Sequence, residues 1–209
     1  MALLEIPATK SALLALRRQL AFAEEGFALL DQKRELLLLE LDARSRRAAG
    51  AKALSRELLA RAYAALREAE LDAGSEAVDR AALGVKPGCA VKVRERRLMG
   101  LRLPEASAEA RVSGAAFGPG GTPAAAGAAA RAFASALPPL AELAGLETSA
   151  LRLARELKRT QRRCNALSKK VIPDCRETIL YLGGALEERE REAFVILRMI
   201  RNRLRAGRG

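Results

Sequence analysis

The sequence predicts an all-α-dominated fold, in which the N- and C-terminal helices form a long antiparallel two-helix coiled coil and a small middle region holds a short β-hairpin. Apolar residues near both ends of the chain follow a three-and-four spacing, the heptad pattern of coiled coils. The 209 residues include five Phe, two Tyr and no Trp, fewer large side chains than a wide core uses. We therefore expect an elongated molecule.

The first helix is predicted to run from Lys10 to the mid-sixties, with Thr9 or Ser11 as its N-cap. Its heptad positions are Leu13, Leu16, Leu20, Ala23, Phe27, Leu30, Leu37 and Leu41, with Arg34 alone breaking the series. The segment from Ala48 to Leu71 either continues this helix or forms a second one, and Gly74 is a plausible end.

The C-terminal helix is predicted to run from about Leu140 to Arg205 and to bend at Pro173. Its heptad positions are Leu146, Ala150, Leu153, Leu157, Thr160, Cys164, Leu167 and Val171. The pattern resumes, displaced by one residue, at Ile172, Cys175, Ile179, Leu182, Leu186, Ala193, Ile196 and Ile200, with Arg189 as its one charged member. Antiparallel pairing with the first helix buries both apolar stripes.

The middle of the chain changes period. Val91 and Val93 alternate with basic residues, and Leu101 and Leu103 flank another, between Gly and Pro residues that favour turns. These two runs predict a small hairpin. The Gly-, Ala- and Pro-rich segment from Ser113 to Ala130 predicts a flexible loop, and it is the part most expected to be disordered. The predicted regions are the N-terminal helix at 1–65, the middle region at 66–139 and the C-terminal helix at 140–209.

Charge is unevenly distributed along the chain. The formal net charge is +12, and residues 151–209 carry 16 basic and 7 acidic side chains. Two interpretations stay open: the Arg and Glu side chains solvate the outer face of a rod, or the basic excess forms a surface for an acidic partner.

The three cysteines favour a reducing, cytosolic compartment over a disulfide scaffold, because their number is odd and they are scattered. Cys164 and Cys175 lie about 16 Å apart on a continuous helix, too far to bridge, so both are predicted to be core residues. The chain opens on no signal-peptide pattern and has no apolar run of about 18 residues, so no membrane insertion is expected.

The sequence shows no recognisable catalytic arrangement of a nucleophile, a base or a metal cluster. Because the chain has no His, histidine-based acid–base chemistry and His-containing zinc sites are excluded. The glycines between Gly118 and Thr122 lack the following Lys of a phosphate-binding loop. The alternating acidic and basic residues from Glu187 to Glu192 are typical of a solvated helix face. We therefore predict no catalytic residue, no metal and no cofactor.

Several segments resemble the D subunit of V-type (vacuolar/archaeal-type) ATPases. At the N-terminus these are Pro7 to Ser11, Leu13, Leu14, Glu25, Gly26, Phe27, Leu29, Leu30 and Lys33 to Glu35, and in the middle Met99, Gly100, Leu101 and Pro104. The most specific ones are Thr160, Arg162, Arg163, Asn165 to Leu167, Val171 to Pro173 and Leu186 to Glu192. The match covers both terminal helices and is weak between them.

The resemblance implies a rotor shaft in the central stalk, similar in role to the gamma subunit of F-type ATP synthases. Such a shaft couples ion flow through the membrane ring to ATP synthesis or hydrolysis. The implied partners are the catalytic A and non-catalytic B subunits, the small F subunit and the C (or d) subunit on the membrane ring. The implied location is cytoplasmic and peripheral to the membrane. This chain departs from the family in its plain loop from Ser113 to Ala130 and in Cys164 at a heptad position.

Two sets of residues are candidate contacts with partner subunits. Basic residues near the two ends of the chain are predicted to lie at subunit interfaces: Lys10, Arg17, Arg18, Arg198, Arg201 and Arg203. Those near the C-terminus, Arg198, Arg201, Arg203 and Arg205, are predicted to face carboxylates of the surrounding ring. Val91, Val93, Leu101 and Leu103 are predicted to contact a partner of the middle region. Under the rotor interpretation no nucleic acid binds. Two alternatives stay open: a basic coiled-coil nucleic-acid binder and a coiled-coil scaffold.

Overall fold

The computed structural model describes residues 6–83, 88–110 and 124–206, without the side chain of Arg205. Its elements are α1 (Lys10–Ala73), α2 (Ser75–Leu83), β1 (Cys89–Leu98), β2 (Leu101–Ala110), α3 (Ala124–Ala166), a π-helical segment (Leu167–Val171) and α4 (Ile172–Ala206). The fold is dominated by helices with one antiparallel hairpin, as the sequence predicts. The described residues belong to two compact units: a terminal unit within Met1–Glu35 and Lys158–Gly209, and a middle unit within Leu36–Leu157.

Helix α1 is continuous, so residues 48–71 are an extension of the first helix and not a separate one. The hydroxyl of Thr9 accepts a hydrogen bond of 3.2 Å from the backbone N–H of Ala12, which makes Thr9 the N-cap. The helix ends at Gly74, whose φ of +81° favours glycine and whose N–H donates to the carbonyl of Glu70.

In the terminal unit, the start of α1 packs against α4 in antiparallel orientation. Leu16, Cys175 and Leu182 form a buried cluster. Glu24 pairs with Arg176 at 2.6 Å, and Lys10, which lies earlier on α1, pairs with Glu190, which lies later on α4. These pairs run in opposite directions along the two helices, which establishes the predicted antiparallel pairing in this unit.

In the middle unit, α1 and α3 are also antiparallel. The ring of Tyr63 meets that of Phe133 edge to face, with centroids 5.2 Å apart, and Arg47 pairs with Glu142 at 3.2 Å. Many of the buried positions on the two helices are small: Ser55, Ala62, Ala69, Ala126, Ala129, Ala136 and Ser149. Small side chains let two helix backbones approach closely, so this part of the molecule needs few large apolar residues.

The one-residue displacement in the C-terminal heptads coincides with the π-helical segment. The N–H of Ile172 donates to the carbonyl of Leu167, five residues earlier, instead of four as in an α-helix. A π turn takes up one extra residue without rotating the helix face that follows. The buried stripe therefore continues on α4 at Ile172 and Cys175. Pro173 follows directly and has no N–H to donate.

The start of the C-terminal helix differs from the sequence prediction. Helix α3 begins at Ala124 and not near Leu140, and it includes Pro138 and Pro139. The predicted loop is therefore wrong for residues 124–130, because an alanine-rich run is a strong helix former even between Gly and Pro residues. The rest of that predicted loop, residues 113–123, lies outside the described residues.

The heptad pattern also extends further than the buried interface. The pattern predicts that Ala193, Ile196 and Ile200 are buried, but all three are exposed. The reason is the start of the opposing helix: Lys10, the first residue of α1, already pairs with Glu190. The charged heptad position just before it, Arg189, donates to the carbonyl of Ala8, and this bond ties the segment preceding α1 to α4.

Candidate functional site

The last turns of α4 form an exposed surface that we call the α4 tip, residues 193–206. Its exposed apolar side chains are Phe194, Val195, Ile196, Leu197, Met199, Ile200 and Leu204. The predicted contacts Arg198, Arg201 and Arg203 lie among them, and each is exposed without an ion pair to any residue in the described ranges. An exposed apolar patch with basic residues on a helix end is typical of a protein interaction surface.

The predicted contacts at the start of α1 differ in their availability. Arg17 and Arg18 are exposed. Lys10 instead forms an ion pair of 2.6 Å with Glu190. The hydrogen bond to the Glu190 carboxylate, and then its charge, raise the pKa of Lys10. Because both side chains are largely exposed, solvent screens this pair and it adds little stability.

A second basic surface was not among the predicted contacts, although two of its residues carried the family resemblance. It consists of the exposed side chains of Lys158, Arg159, Arg162, Arg163, Lys169 and Lys170, and we call it the basic face. The chain between Leu157 and Pro173 contains no acidic residue. The buried positions Thr160 and Cys164 lie on the other side of the helix, so the basic face points to solvent. The signal for it was the local absence of acidic residues.

The hairpin separates the four predicted middle-region contacts into two pairs. Val91 and Val93 on β1 are 61% and 63% exposed. Leu101 is half-buried, and Leu103 is fully buried in a cluster with Leu37 and Leu153. The structure therefore leaves the two valines accessible and uses Leu103 in the chain's own core.

Strand β2 contacts α3 through its backbone carbonyl groups, which accept hydrogen bonds from α3 side chains. The hydroxyl of Ser149 donates to the carbonyl of Pro104 at 2.8 Å, and the guanidinium of Arg152 donates to the carbonyl of Arg102 at 2.6 Å. Gly145, one turn before Ser149, leaves room for the strand to approach the helix. These three α3 positions hold the hairpin by the outer edge of β2.

An open cleft of about 760 Å³ lies in the middle unit between the hairpin, α1 and α3. Its charged rim is largely paired internally: Lys92 with Glu109 at 2.7 Å, and Arg47 with Glu142. Arg44 on its α1 wall is buried and pairs with Glu40.

Within 6–83, 88–110 and 124–206 there is no group of three or more His, Cys, Asp or Glu residues positioned to hold a metal ion. Nor does any described helix combine the length and apolar character needed to cross a membrane.

A family model for the D subunit of ATP synthase matches residues 12–202, which includes nearly all of α1, the hairpin and nearly all of α4. The chain belongs to the ATP synthase D-subunit family. The resemblance to the D subunit of V-type ATPases is therefore confirmed.

Individual members of the D-subunit family match this chain over nearly their whole length. The D subunit of the A-type ATP synthase of Methanosphaera stadtmanae is 34% identical over 199 residues, 94% of this chain and 93% of the relative. The D subunit of the V-type ATP synthase of Thermotoga neapolitana is 35% identical over 204 residues, 96% and 99% of the two chains. That of Thermus thermophilus is 36% identical over 202 residues, 97% and 90% of the two chains. The match thus extends over both terminal helices and the hairpin between them.

Proposed function

We propose that this D-family chain is the rotor shaft in the central stalk of an A/V-type ATP synthase. Its turning would couple ion flow through the membrane ring to ATP synthesis or hydrolysis. The observation that carries the proposal is the family match over residues 12–202, together with antiparallel packing of the helices within each unit. Transmission of torque needs a stiff element, and two packed helices resist bending better than one.

In this role the chain performs no bond chemistry itself, and the nucleotide sites lie on the surrounding chains. The α4 tip and the basic face are the surfaces that meet the catalytic A and non-catalytic B subunits, through apolar contact and through carboxylates opposite the arginines. Because a single shaft is asymmetric, each catalytic site in a surrounding ring meets a different side of it. Rotation then forces the sites through different states in turn.

The small F subunit is the proposed partner of the middle unit, where the exposed hairpin valines, Val91 and Val93, contact it. The C (or d) subunit, which the family resemblance implies, joins this chain to the membrane ring. The chain is then cytoplasmic and peripheral to the membrane, and it needs no cofactor of its own.

The first experiment is purification of the tagged chain from its own cells in mild detergent, followed by mass spectrometry and an assay of ATP hydrolysis. We expect the A, B and F subunits to co-purify with ATPase activity. Recovery of nucleic acid, or of this chain alone, would contradict the proposal.

A rotation assay then tests the shaft itself. Cys89 is exposed, whereas Cys164 and Cys175 are buried, so biotin maleimide is directed to Cys89. A bead attached there is expected to rotate in one direction when ATP is added to the immobilised complex. The Cys89→Ser variant is the control, because it removes the attachment point and leaves the helices unchanged. A bead that stays still in an ATP-hydrolysing complex would contradict the shaft role.

A further inference from the structure

The two edges of the hairpin are unequal. Helix α3 covers the outer edge of β2, where the carbonyls of Arg102 and Pro104 accept hydrogen bonds from α3 side chains. Strand β1 is exposed along its length, with only Leu98 half-buried. An exposed strand edge offers unpaired N–H and C=O groups that another strand can bind.

The register identifies which β1 backbone groups point away from β2, its one partner strand in the described part of the chain. The hairpin closes through Met99 and Gly100, both at positive φ (47° and 82°), as in a type I′ turn. In such a hairpin the residues beside the turn form a hydrogen-bonded pair, and every second pair along the ladder is not hydrogen-bonded. Arg102 and Pro104 belong to the second kind, since their carbonyls point to α3.

The β1 residues opposite such pairs also direct their backbone groups away from β2. They are Val91, Val93, Glu95 and Arg97, which face Ala108, Ala106, Pro104 and Arg102 respectively. The N–H and C=O of these four β1 residues form a continuous outward edge. The side chains of Val91 and Val93, the two exposed valines, belong to the same set.

The charges of β1 select the partner strand. The strand carries four basic residues and one acidic residue, in the sequence CAVKVRERRL. Lys92 is neutralised by Glu109 at 2.7 Å, whereas Arg94 and Arg97 have no ion pair among the described residues. A second copy of β1 would bring like charges together, which is unfavourable between neighbouring strands. An acidic strand would pair them.

We propose that the outer edge of β1 binds an extended acidic segment of another subunit as a third strand of the sheet. Its apolar residues pack on Val91 and Val93, and its carboxylates lie beside Arg94 and Arg97. This inference rests on the proposed function, because it takes the segment from a subunit of the same assembly.

The test compares amide hydrogen exchange in the full chain alone and in the complex purified with it, at single-residue resolution by electron-transfer fragmentation. In the chain alone, the amides of Val91, Val93, Glu95 and Arg97 should exchange fast, whereas those paired with β2 are protected. In the complex, the same four amides should slow by at least about tenfold.

A proline substitution separates strand pairing from simple covering of the surface. Val93→Pro removes one outward N–H without touching the ladder to β2, and Pro104 already occupies an outward-facing position of this kind. We expect the protection of Val91 and Glu95 in the complex to be lost in Val93→Pro. Val93→Thr, which keeps the N–H, should preserve it.

The outcomes distinguish this inference from the function on which it rests. An ATP-hydrolysing complex in which the four β1 amides still exchange fast would overturn the added strand and leave the rotor role intact. Equal protection in Val93→Pro and the unsubstituted chain would also overturn it. A dimer of this chain with the same slowed amides would replace the acidic segment by a second copy. If no ATPase subunit co-purifies with this chain, both proposals are overturned.

Discussion

Gly145 of α3 lies so close to β2 that a Cβ at this position would stand 2.7 Å from the backbone nitrogen of Ala106. The same Cβ would lie 3.4 Å from the carbonyl oxygen of Pro104. The nearest obstacle is backbone, which cannot rotate away as a long side chain does. The absence of a side chain at Gly145 therefore determines how near the hairpin lies to the helix.

We predict that Gly145→Ala displaces the hairpin and weakens the hydrogen bond from Ser149 to the Pro104 carbonyl. The cost should be about 1–3 kcal/mol, the usual range for overpacking, measured by urea unfolding of the full chain. Gly50→Ala is the matched control, because nothing lies within 4 Å of a Cβ there. In mid-helix it should stabilise by roughly 0.5–1 kcal/mol. Equal effects of the two substitutions would contradict the close approach.

The cysteines should react in a fixed order. Cys89 is exposed, whereas Cys164 and Cys175 are buried. Burial, and then the Asp174 carboxylate, raise the pKa of Cys175 above its ordinary 9.0, which reduces the reactive thiolate. In a thiol titration at about pH 8, below the ordinary thiol pKa, we expect one fast thiol per chain and the other two only after denaturation. The Cys89→Ser variant should lose the fast phase.

The raised pKa of Cys175 also has a consequence for stability. The unfolded thiol ionises at a lower pH than the folded one, so a rising pH first lowers the free energy of the unfolded state. Below the ordinary value of 9.0 this group leaves stability unchanged, and above it stability falls until the folded thiol ionises as well. Cys175→Ala should reduce the loss of stability between about pH 8 and about pH 10, measured by thermal unfolding. An unchanged slope would contradict the assignment.

The terminal helices could be predicted from the sequence because a heptad pattern reports directly on which face is buried. Leu16, Leu37 and Leu153 are predicted heptad positions, and each is buried. The extent of the interface was not predictable in this way. Ile196 and Ile200 continue the pattern, yet they are exposed because the partner helix starts too late to cover them.

The middle unit was harder to predict because its contacts are made by small residues and by backbone. The helix from Ala124 was hidden by neighbouring Gly and Pro residues. Ser149 and Gly145 had no pattern that marked them, since they act on the carbonyl and nitrogen of a strand distant in sequence. Leu103 alternates like a surface strand residue, and only the tertiary structure places it in the core.

The π-helical segment leads to a prediction about chain length. Deleting Ser168 from Leu167–Val171 removes the extra residue of the π turn. A regular α-helix through this point would then place Leu182 in phase with the heptads that precede the segment. Pro173 would then lie in an α-helix interior, at a cost of about 3 kcal/mol. We therefore expect Ser168 deletion to destabilise the chain that keeps Pro173. In a Pro173→Ala background the same deletion should change the free energy of unfolding by no more than about 1 kcal/mol.

The control for this deletion removes Lys158 in the same Pro173→Ala background. It rotates the following residues by about 100°, which moves Thr160 and Cys164 off the buried face. The cost should exceed about 3 kcal/mol by chemical unfolding, since two nearly fully buried positions are lost. Similar losses from the two deletions would show that the π turn does not correct the heptad phase.

The arginines of the α4 tip provide a functional test. Arg198, Arg201 and Arg203 are exposed and unpaired in the part of the chain that the structure describes, so replacing all three by Glu should leave the melting temperature of the free chain unchanged. In the assembled complex the same triple variant should lower ATP turnover by at least about tenfold, because like charges then face the carboxylates of the surrounding subunits. The triple Lys variant keeps the charge and should retain most of the activity. Unchanged turnover in the Glu variant would remove these arginines from the interface, and the basic face within residues 158–170 would be the next surface to reverse.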